Sequence, residues 1–368
     1  MKLALLLPVW DDPTLPGIAR DLAAALPGDA DILVVARARS RSQERRLRDG
    51  RLDVRLVGWT APAFLRPLES VANLFLVPAA LLRLLGREKP DAVHYHFSGN
   101  DSWLLVALAA PFLRAPLYVS LHSALRGFPG QPVRRRLCRR VLTRAHAVSA
   151  VSDAARDSVA ADFPELAAKT TTIRNGVDVA FFAGAEGPRP HARRFALTIS
   201  RSAPGKGLDV LLLAFHAAAA TRPDVDLLVC GADDDEGQTR AFAGALRLGD
   251  RVRWLGVRPK SELAVLLRHC EVMALGSRQE GMPLAALEAL AAGAPIVAAS
   301  AGGTAECLRD GETAVLVPPR DPAALAEALG RVLDDAALRA RLSEAARRAA
   351  PPFDRAEMAR AYARWYAS

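Results

Sequence analysis

The sequence predicts an α/β protein made of two Rossmann-like domains, each a parallel sheet covered by helices. Three observations lead there. Short apolar runs alternate with helical patterns along the whole chain. The runs are continuous rather than alternating, as strands buried on both faces require. Residues 183–194, Ala-Gly-Ala-Glu-Gly-Pro-Arg-Pro-His-Ala-Arg-Arg, lack apolar periodicity and divide the 368 residues into halves of similar size. A segment so rich in Gly, Pro and charge reads as a linker.

The predicted strands of the first half are 2–7, 31–36, 52–57, 92–95, 117–121, 145–149 and 170–173. Those of the second half are 195–200, 226–230, 252–255, 271–274, 295–298 and 314–317. Helical spacing fills the intervals, clearest at 208–219, 284–292 and 322–333, with a further helix expected at 18–26. Alternation of this kind defines α/β layers with parallel sheets. The expected division is 1–185 and 186–352. A last helix at 353–368, carrying Met358, Tyr362, Trp365 and Tyr366, is expected to pack back on the first domain. Ligands of open parallel sheets sit at the carboxyl ends of the strands, so a cleft between the halves is the expected site.

Composition excludes several classes. Hydrophobic residues are 51% and charged residues 24% of the chain, which is globular rather than disordered. Cys138, Cys230, Cys270 and Cys307 form no C-x-x-C pair and read as small buried hydrophobes in a reducing compartment. The apolar start is too short for a signal peptide, and stretches 74–85 and 103–113 are interrupted by Pro78, Arg83 and Pro111. A cytoplasmic protein is expected. The first 185 residues hold 25 Lys/Arg against 17 Asp/Glu, so nearly all of the net charge of +9 lies there. Such a field favours anionic partners.

Chemistry concentrates in Ser277-Arg278-Gln279-Glu280-Gly281-Met282-Pro283-Leu284-Ala285-Ala286-Leu287-Glu288. Glu280 precedes a helix that Pro283 opens, and Glu288 falls in its second turn. The amides from Met282 to Ala285, at the positive end of the helix dipole, would form an anion site. Arg201 and Lys206 follow the strand at 195–200 and suit a diphosphate, one as a planar fork and the other as a point charge.

This segment closely resembles the E-x7-E signature of glycosyltransferase family 4 and related GT-B enzymes. Other segments resemble the family in the same order: Val148-Ser149-Ala150-Val151-Ser152, Asn175-Gly176-Val177-Asp178 with Phe181, Arg201 to Gly207, Leu255-Gly256, and Ala301-Gly302-Gly303-Thr304-Ala305-Glu306. The resemblance implies a GT-B fold, two Rossmann-like domains facing across a cleft, and a retaining transfer from a nucleoside diphosphate sugar, with UDP or GDP as carrier. It implies that Glu280 bonds donor-sugar hydroxyls and Glu288 the ribose. Arg201 and Lys206 would neutralise the departing diphosphate. Gly281, Met282, Pro283 and Leu284 would line the donor site, and His122 would lie near the reacting centre. His94 and His96 would be structural or near the acceptor.

The chain departs from the family at Leu15-Pro16-Gly17-Ile18-Ala19-Arg20, where only Gly17 remains of two glycines that approach the donor. No cofactor or metal is expected, and Asp233-Asp234-Asp235 reads as a solvated acidic loop. The acceptor is expected to be a hydroxyl of a glycan or lipid-linked glycan. The basic segment from Arg134 to Arg144, with Val133, Leu137 and Val141 at helical spacing, could lie on anionic lipid. Nucleic acid is not an expected partner, because no aromatic interleaving accompanies the charge. A sugar epimerase and a silent binding subunit are the rival readings. A dinucleotide-dependent dehydrogenase lacks its G-x-G-x-x-G.

Overall fold

The computed structural model describes the chain except residues 10–13, 27, 38–45, 58–65, 98–101 and 126–129. It divides into two compact units, Met1–Asn175 with Arg355–Ser368, and Gly176–Asp354.

The first unit is an eight-stranded sheet in the order β3-β4-β2-β1-β5-β6-β7-β8. Its strands are β1 (Lys2–Val9), β2 (Asp31–Arg37), β3 (Arg46–Asp49), β4 (Leu52–Val57), β5 (Ala92–Phe97), β6 (Leu117–Leu121), β7 (Ala147–Ala150) and β8 (Thr170–Thr172). All pairings are parallel except the β3–β4 edge. Helices α2 (Arg66–Glu88), α3 (Ser102–Ala109), α4 (Pro132–Arg144) and α5 (Asp153–Asp162) share one hydrophobic core. Val93, Tyr95 and Phe97 of β5 and Leu117, Val119 and Leu121 of β6 belong to that core. The period of two turns His94, His96, Tyr118 and Ser120 to the opposite face. There α14 (Arg355–Tyr366) packs beside α1 (Thr14–Ala25).

The second unit is a six-stranded parallel sheet, ordered β11-β10-β9-β12-β13-β14. It comprises β9 (Arg194–Ile199), β10 (Val225–Cys230), β11 (Val252–Gly256), β12 (Val272–Leu275), β13 (Ile296–Ala299) and β14 (Val315–Val317). Helices α7 (Leu208–Ala219) and α12 (Pro322–Asp334) supply much of its core. The strand order reverses between β9 and β12, and at such a switch point the loops after both strands open a crevice.

Three expectations need correction. The units part between residues 175 and 176, ten residues before the predicted division at 185 and 186. The reason is α6 (Val179–Ala183), which buries Phe182 and packs on α10 (Leu284–Ala292) of the second unit. Helix α1 begins at Thr14 rather than Ile18, so Gly17 lies in its first turn. Pro16 is tolerated there because the first amides of a helix need no intrahelical acceptor. On α4 the predicted apolar stripe does not face outward: Val141 is buried with Cys138 and Leu142, and Leu137 packs against the core. Only Val133 of the stripe is exposed. No helix among the described residues is long and apolar enough to cross a membrane.

Candidate functional site

The site of the second unit is built from loops at the carboxyl ends of β9, β10, β12 and β13. After β9 the chain closes a tight loop, with Ala203 N donating to Arg201 O at 2.9 Å and Lys206 N to Ala203 O at 2.8 Å. Gly207 then turns with φ +59° into α7. A Cβ at Gly207 would stand 2.1 Å from Gly276 O, so the loops after β9 and β12 touch backbone to backbone. The amide of Arg278 donates to Gly205 O at 2.9 Å. The Arg278 guanidinium holds Pro204 O and the Asp209 carboxylate, which keeps Asp209 below the usual carboxylate range through that hydrogen bond.

Within this frame Lys206 Nζ reaches both oxygens of Glu280, at 2.9 and 2.8 Å. Ser277 Oγ donates to Glu280 Oε1 at 2.7 Å. Glu280 is only 7% exposed, so its charge is satisfied by a cation and a hydroxyl rather than by water. Behind it, Gly303 N donates to Glu280 O at 3.2 Å. Gly302, at φ +53°, passes so close that a Cβ would lie 2.2 Å from that same oxygen. The loop after β13 thereby sets the backbone position of Glu280.

Pro283 opens α10 with no side-chain cap. Leu284 and Ala285 occupy its first turn, where backbone amides have no intrahelical acceptor. Pro283 itself adds none to the expected anion site, having no N–H. Gly281 and Met282 are buried beside them, and Glu288 is buried one turn on, 7% exposed.

Arg201 lies at the β10 side of the site and pairs with Asp234 at 2.7 Å. Asp234 belongs to the Asp-Asp-Asp loop, in which Asp233 and Asp234 are exposed as expected and the carboxylates also have partners. Asp233 accepts from Arg240 and from Gly237 N, and Asp235 accepts from Thr239. Sequence reasoning missed Asp209, and it placed Ser277, Arg278 and Asp234 in motifs without their partners. Ser277 meets Glu280 three residues on, but the partners of Arg278, Asp209 and Asp234 lie 33 to 74 residues away, where no local signal marks them.

The first unit holds His122 and Gly17. His122 follows β6, and its Nε2 lies 2.9 Å from His96 Nδ1 with the rings stacked. His94 is bonded to Tyr366 Oη at 2.7 Å and to Ser120 Oγ at 2.6 Å. Ser120 continues to Ser149 and Tyr362. Burial pushes all three histidines below their ordinary value, His122 to about 4. Each is therefore neutral at physiological pH, and in the His96–His122 pair one ring donates and the other accepts. His96 Nε2 and His122 Nδ1 have no partner among the described residues. His94 and His96 thus form a structural network with α14. Gly17 has open space where a Cβ would stand.

All four cysteines are buried and unpaired, and burial raises the thiols of Cys138, Cys230 and Cys270 to about 12.

Two Rossmann-like units and a cation–carboxylate site at a strand switch point define a GT-B architecture. Solved structures agree over the full length of the chain. The Anabaena protein HepE, in complex with UDP and glucose, matches with a TM-score of 0.80 and 22% identity, covering 100% of both chains. Sucrose-phosphate synthase from Thermosynechococcus elongatus matches with a TM-score of 0.80 and 21% identity, covering 100% of this chain and 98% of that one.

The profile for "Glycosyltransferase Family 4" matches residues 18–181, and that for "Glycosyl transferases group 1" matches residues 184–349. A glycogen synthase of Mycobacterium tuberculosis is 31% identical over 300 residues, 77% of this chain and 71% of the relative. A D-inositol 3-phosphate glycosyltransferase of Salinispora tropica is 37% identical over 207 residues, 50% of this chain. The match spans 43% of that relative, less than half its length. The chain belongs to this glycosyltransferase family.

Proposed function

We propose that the protein transfers a sugar, with retention of configuration, from a nucleoside diphosphate sugar to a hydroxyl of a glycan or glycolipid. UDP and GDP are the carriers this reading favours, and it assigns the reaction to the cytoplasm. The observation that carries it is the Lys206–Glu280–Ser277 cluster at the switch point between β9 and β12. A site built there offers a cation, a fixed carboxylate and helix amides to one ligand.

In this reading the bond between the sugar C1 and the diphosphate oxygen breaks as the acceptor oxygen bonds to C1. Negative charge grows on the departing diphosphate, and Arg201, Lys206 and the amides of Leu284 and Ala285 oppose it. The acceptor proton passes to the leaving diphosphate on the same face of the sugar. Glu280 aligns the donor sugar through its hydroxyls, Glu288 takes the ribose, and Gly281 and Met282 line the donor site. The roles of His122 beside the donor sugar and of Gly17 near the donor rest on the family resemblance. HepE was solved with UDP-glucose, which supports a UDP donor first.

The test is a thermal-shift screen against UDP, GDP, ADP and their sugars, repeated on Lys206→Ala and Glu288→Ala. Ligands of the folded state raise the melting temperature by mass action. A shift with one nucleotide, lost in both variants, supports the donor site. No shift with any nucleotide would favour a silent binding subunit. Product from an acceptor screen, with its anomeric configuration read by NMR, then decides between transfer with retention, inversion and epimerisation.

A further inference from the structure

The two loops of the proposed donor site meet where the sheet stops holding them together. Strands β9 and β12 pair through Val272 with Ala196 and Met273 with Leu197. Each strand then runs two residues further, β9 to Ile199 and β12 to Leu275, before its loop begins. Beyond the last pair, other contacts tie the loop of Lys206 to the loop of Glu280.

Some are backbone contacts. Gly205 O accepts from the amides of Arg278 at 2.9 Å and Gln279 at 3.3 Å. Gly276 stands so near that a Cβ there would lie 2.6 Å from Gly207 O. The rest come from one side chain. Arg278 Nη1 donates to Pro204 O and to Asp209 Oδ1, both at 2.7 Å, and Nη2 donates to Asp209 Oδ2. Pro204 and Asp209 flank Lys206, two residues before it and three after. A planar fork can grip both carboxylate oxygens and still reach a carbonyl, a geometry that the point charge of a lysine does not reproduce. The bond from Arg278 holds Asp209 below the usual carboxylate range, so the pair stays charged at neutral pH.

The two side chains are 25% and 46% exposed, so their pairing adds little to the stability of the whole unit. Its effect falls on Lys206. In the free protein Lys206 is tied to Glu280. A diphosphate that takes or shares Lys206 weakens that tie, and the contacts of Arg278 are left to keep the loop in place.

We propose that Arg278 is a positioning residue for the diphosphate: it fixes the segment 204–209 against the Glu280 loop, so that Lys206 meets the ligand from a set position. Arg278 acts through Lys206 and not on the donor itself. The inference rests on the proposed donor site and deepens it. If opening the clamp leaves the loop binding-competent for only about one-fifth to one-tenth of the time, apparent affinity falls by the same factor.

The experiment is calorimetric titration of the full chain with UDP, UDP-glucose and GDP, the tightest binder of the wild type serving for the variants. These are Arg278→Gln, Lys206→Ala, the two combined, and Asp209→Asn, each with its melting temperature measured without ligand. Arg278→Gln should bind about 5- to 10-fold more weakly, with a melting temperature within about 3 °C of the wild type. In the Lys206→Ala background the same substitution should cost less than about twofold, because the residue it positions is gone. Asp209→Asn opens the clamp from its other end and should weaken binding in the same direction, a test that holds even where Arg278→Gln folds poorly. Equal losses from Arg278→Gln with and without Lys206 would show that Arg278 acts on the ligand or on the fold at large, and would overturn the proposal. Normal affinity in Arg278→Gln and Asp209→Asn, beside weak binding by Lys206→Ala, overturns it and leaves the donor site standing. A wild type that binds none of the three ligands, or a Lys206→Ala variant that binds like the wild type, removes the donor reading and this inference with it.

Discussion

Replacing Glu280 by Gln separates sugar alignment from nucleotide binding. The carboxylate sits 2.8 and 2.9 Å from Lys206 Nζ. At an effective dielectric of about 20, unit charges that close attract by roughly 6 kcal/mol. Desolvation offsets most of this. The Lys206 side chain is 31% exposed and Glu280 6%, which leaves a net contribution of about 1–2 kcal/mol. Glutamine keeps an oxygen that accepts from Lys206 or Ser277, so the fold should lose only ~1 kcal/mol.

The larger effects fall on ligands. Without the negative charge beside it, Lys206 is free for a diphosphate, and a nucleoside diphosphate should bind about fivefold more tightly, equivalent to ~1 kcal/mol. If Glu280 aligns the donor sugar as proposed, transfer should fall roughly 100- to 1,000-fold, because a fixed acceptor for the sugar hydroxyls is lost where orientation matters most. Calorimetric titration of the nucleotide and a donor-consumption assay read the two effects separately. If transfer stayed near the wild-type rate, Glu280 would not be aligning the sugar. If nucleotide affinity fell together with transfer, the carboxylate would be acting through the nucleotide, and the division of roles between Glu280 and Lys206 would be refuted.

Gly302→Ala should destabilise the second unit by about 2–4 kcal/mol, since φ is +53° and the new Cβ would meet Glu280 O at 2.2 Å. Gly311→Ala, at φ +71° with open space, should cost only ~1 kcal/mol in the same urea titration, and equal losses would refute the packing argument. Stability should decline as pH falls from about 6.5 toward 4. His122 titrates at about 4 in the fold and near 6.5 unfolded, so the unfolded chain binds more protons in that window. His94 and His96 shift the same way, and each histidine contributes a slope of up to about 1.4 kcal/mol per pH unit. Denaturation midpoints that match at pH 7.5 and pH 5 would contradict neutral burial. Tyr366→Phe removes the 2.7 Å partner of His94 Nδ1 and should cost about 1–3 kcal/mol. Tyr362→Phe, which loses a longer 3.2 Å bond to Ser120, should cost less, and the reverse order in urea would show that Tyr366 does not anchor α14.

Most strands were legible because a parallel sheet buries both faces of each strand, leaving continuous apolar runs between helical patterns. The exception is β3, Arg-Leu-Arg-Asp, an antiparallel edge strand with one half-exposed face and no such run. The compact units part ten residues before the predicted division for a related reason. Linker composition marks where the chain is unstructured, whereas the border depends on what α6 packs against, and Phe182 takes it to the second unit. On α4 the sequence gives a helical period but not its destination. The stripe read as lipid-facing is mostly core.

The residues of the proposed donor site could be singled out one motif at a time, while their relations could not. Lys206 and Glu280 lie 74 residues apart, and they meet because β9 and β12 are adjacent although β10 and β11 come between them in the chain. The same strand order places β10 on the other flank of β9, which brings Asp234 to Arg201. Each proposed phosphate-binding cation thus faces a carboxylate from the strand beside its own. A diphosphate entering such a site must replace or share both partners, so its net gain is the difference between two ion pairings rather than a full charge interaction. Glu280 is held by Ser277 and by the loop at Gly302, whereas Asp234 stands on a surface loop and is 37% exposed. The exchange should therefore begin at Arg201, whose partner water can solvate, and reach Lys206 only when a ligand also offers Glu280 the sugar hydroxyls.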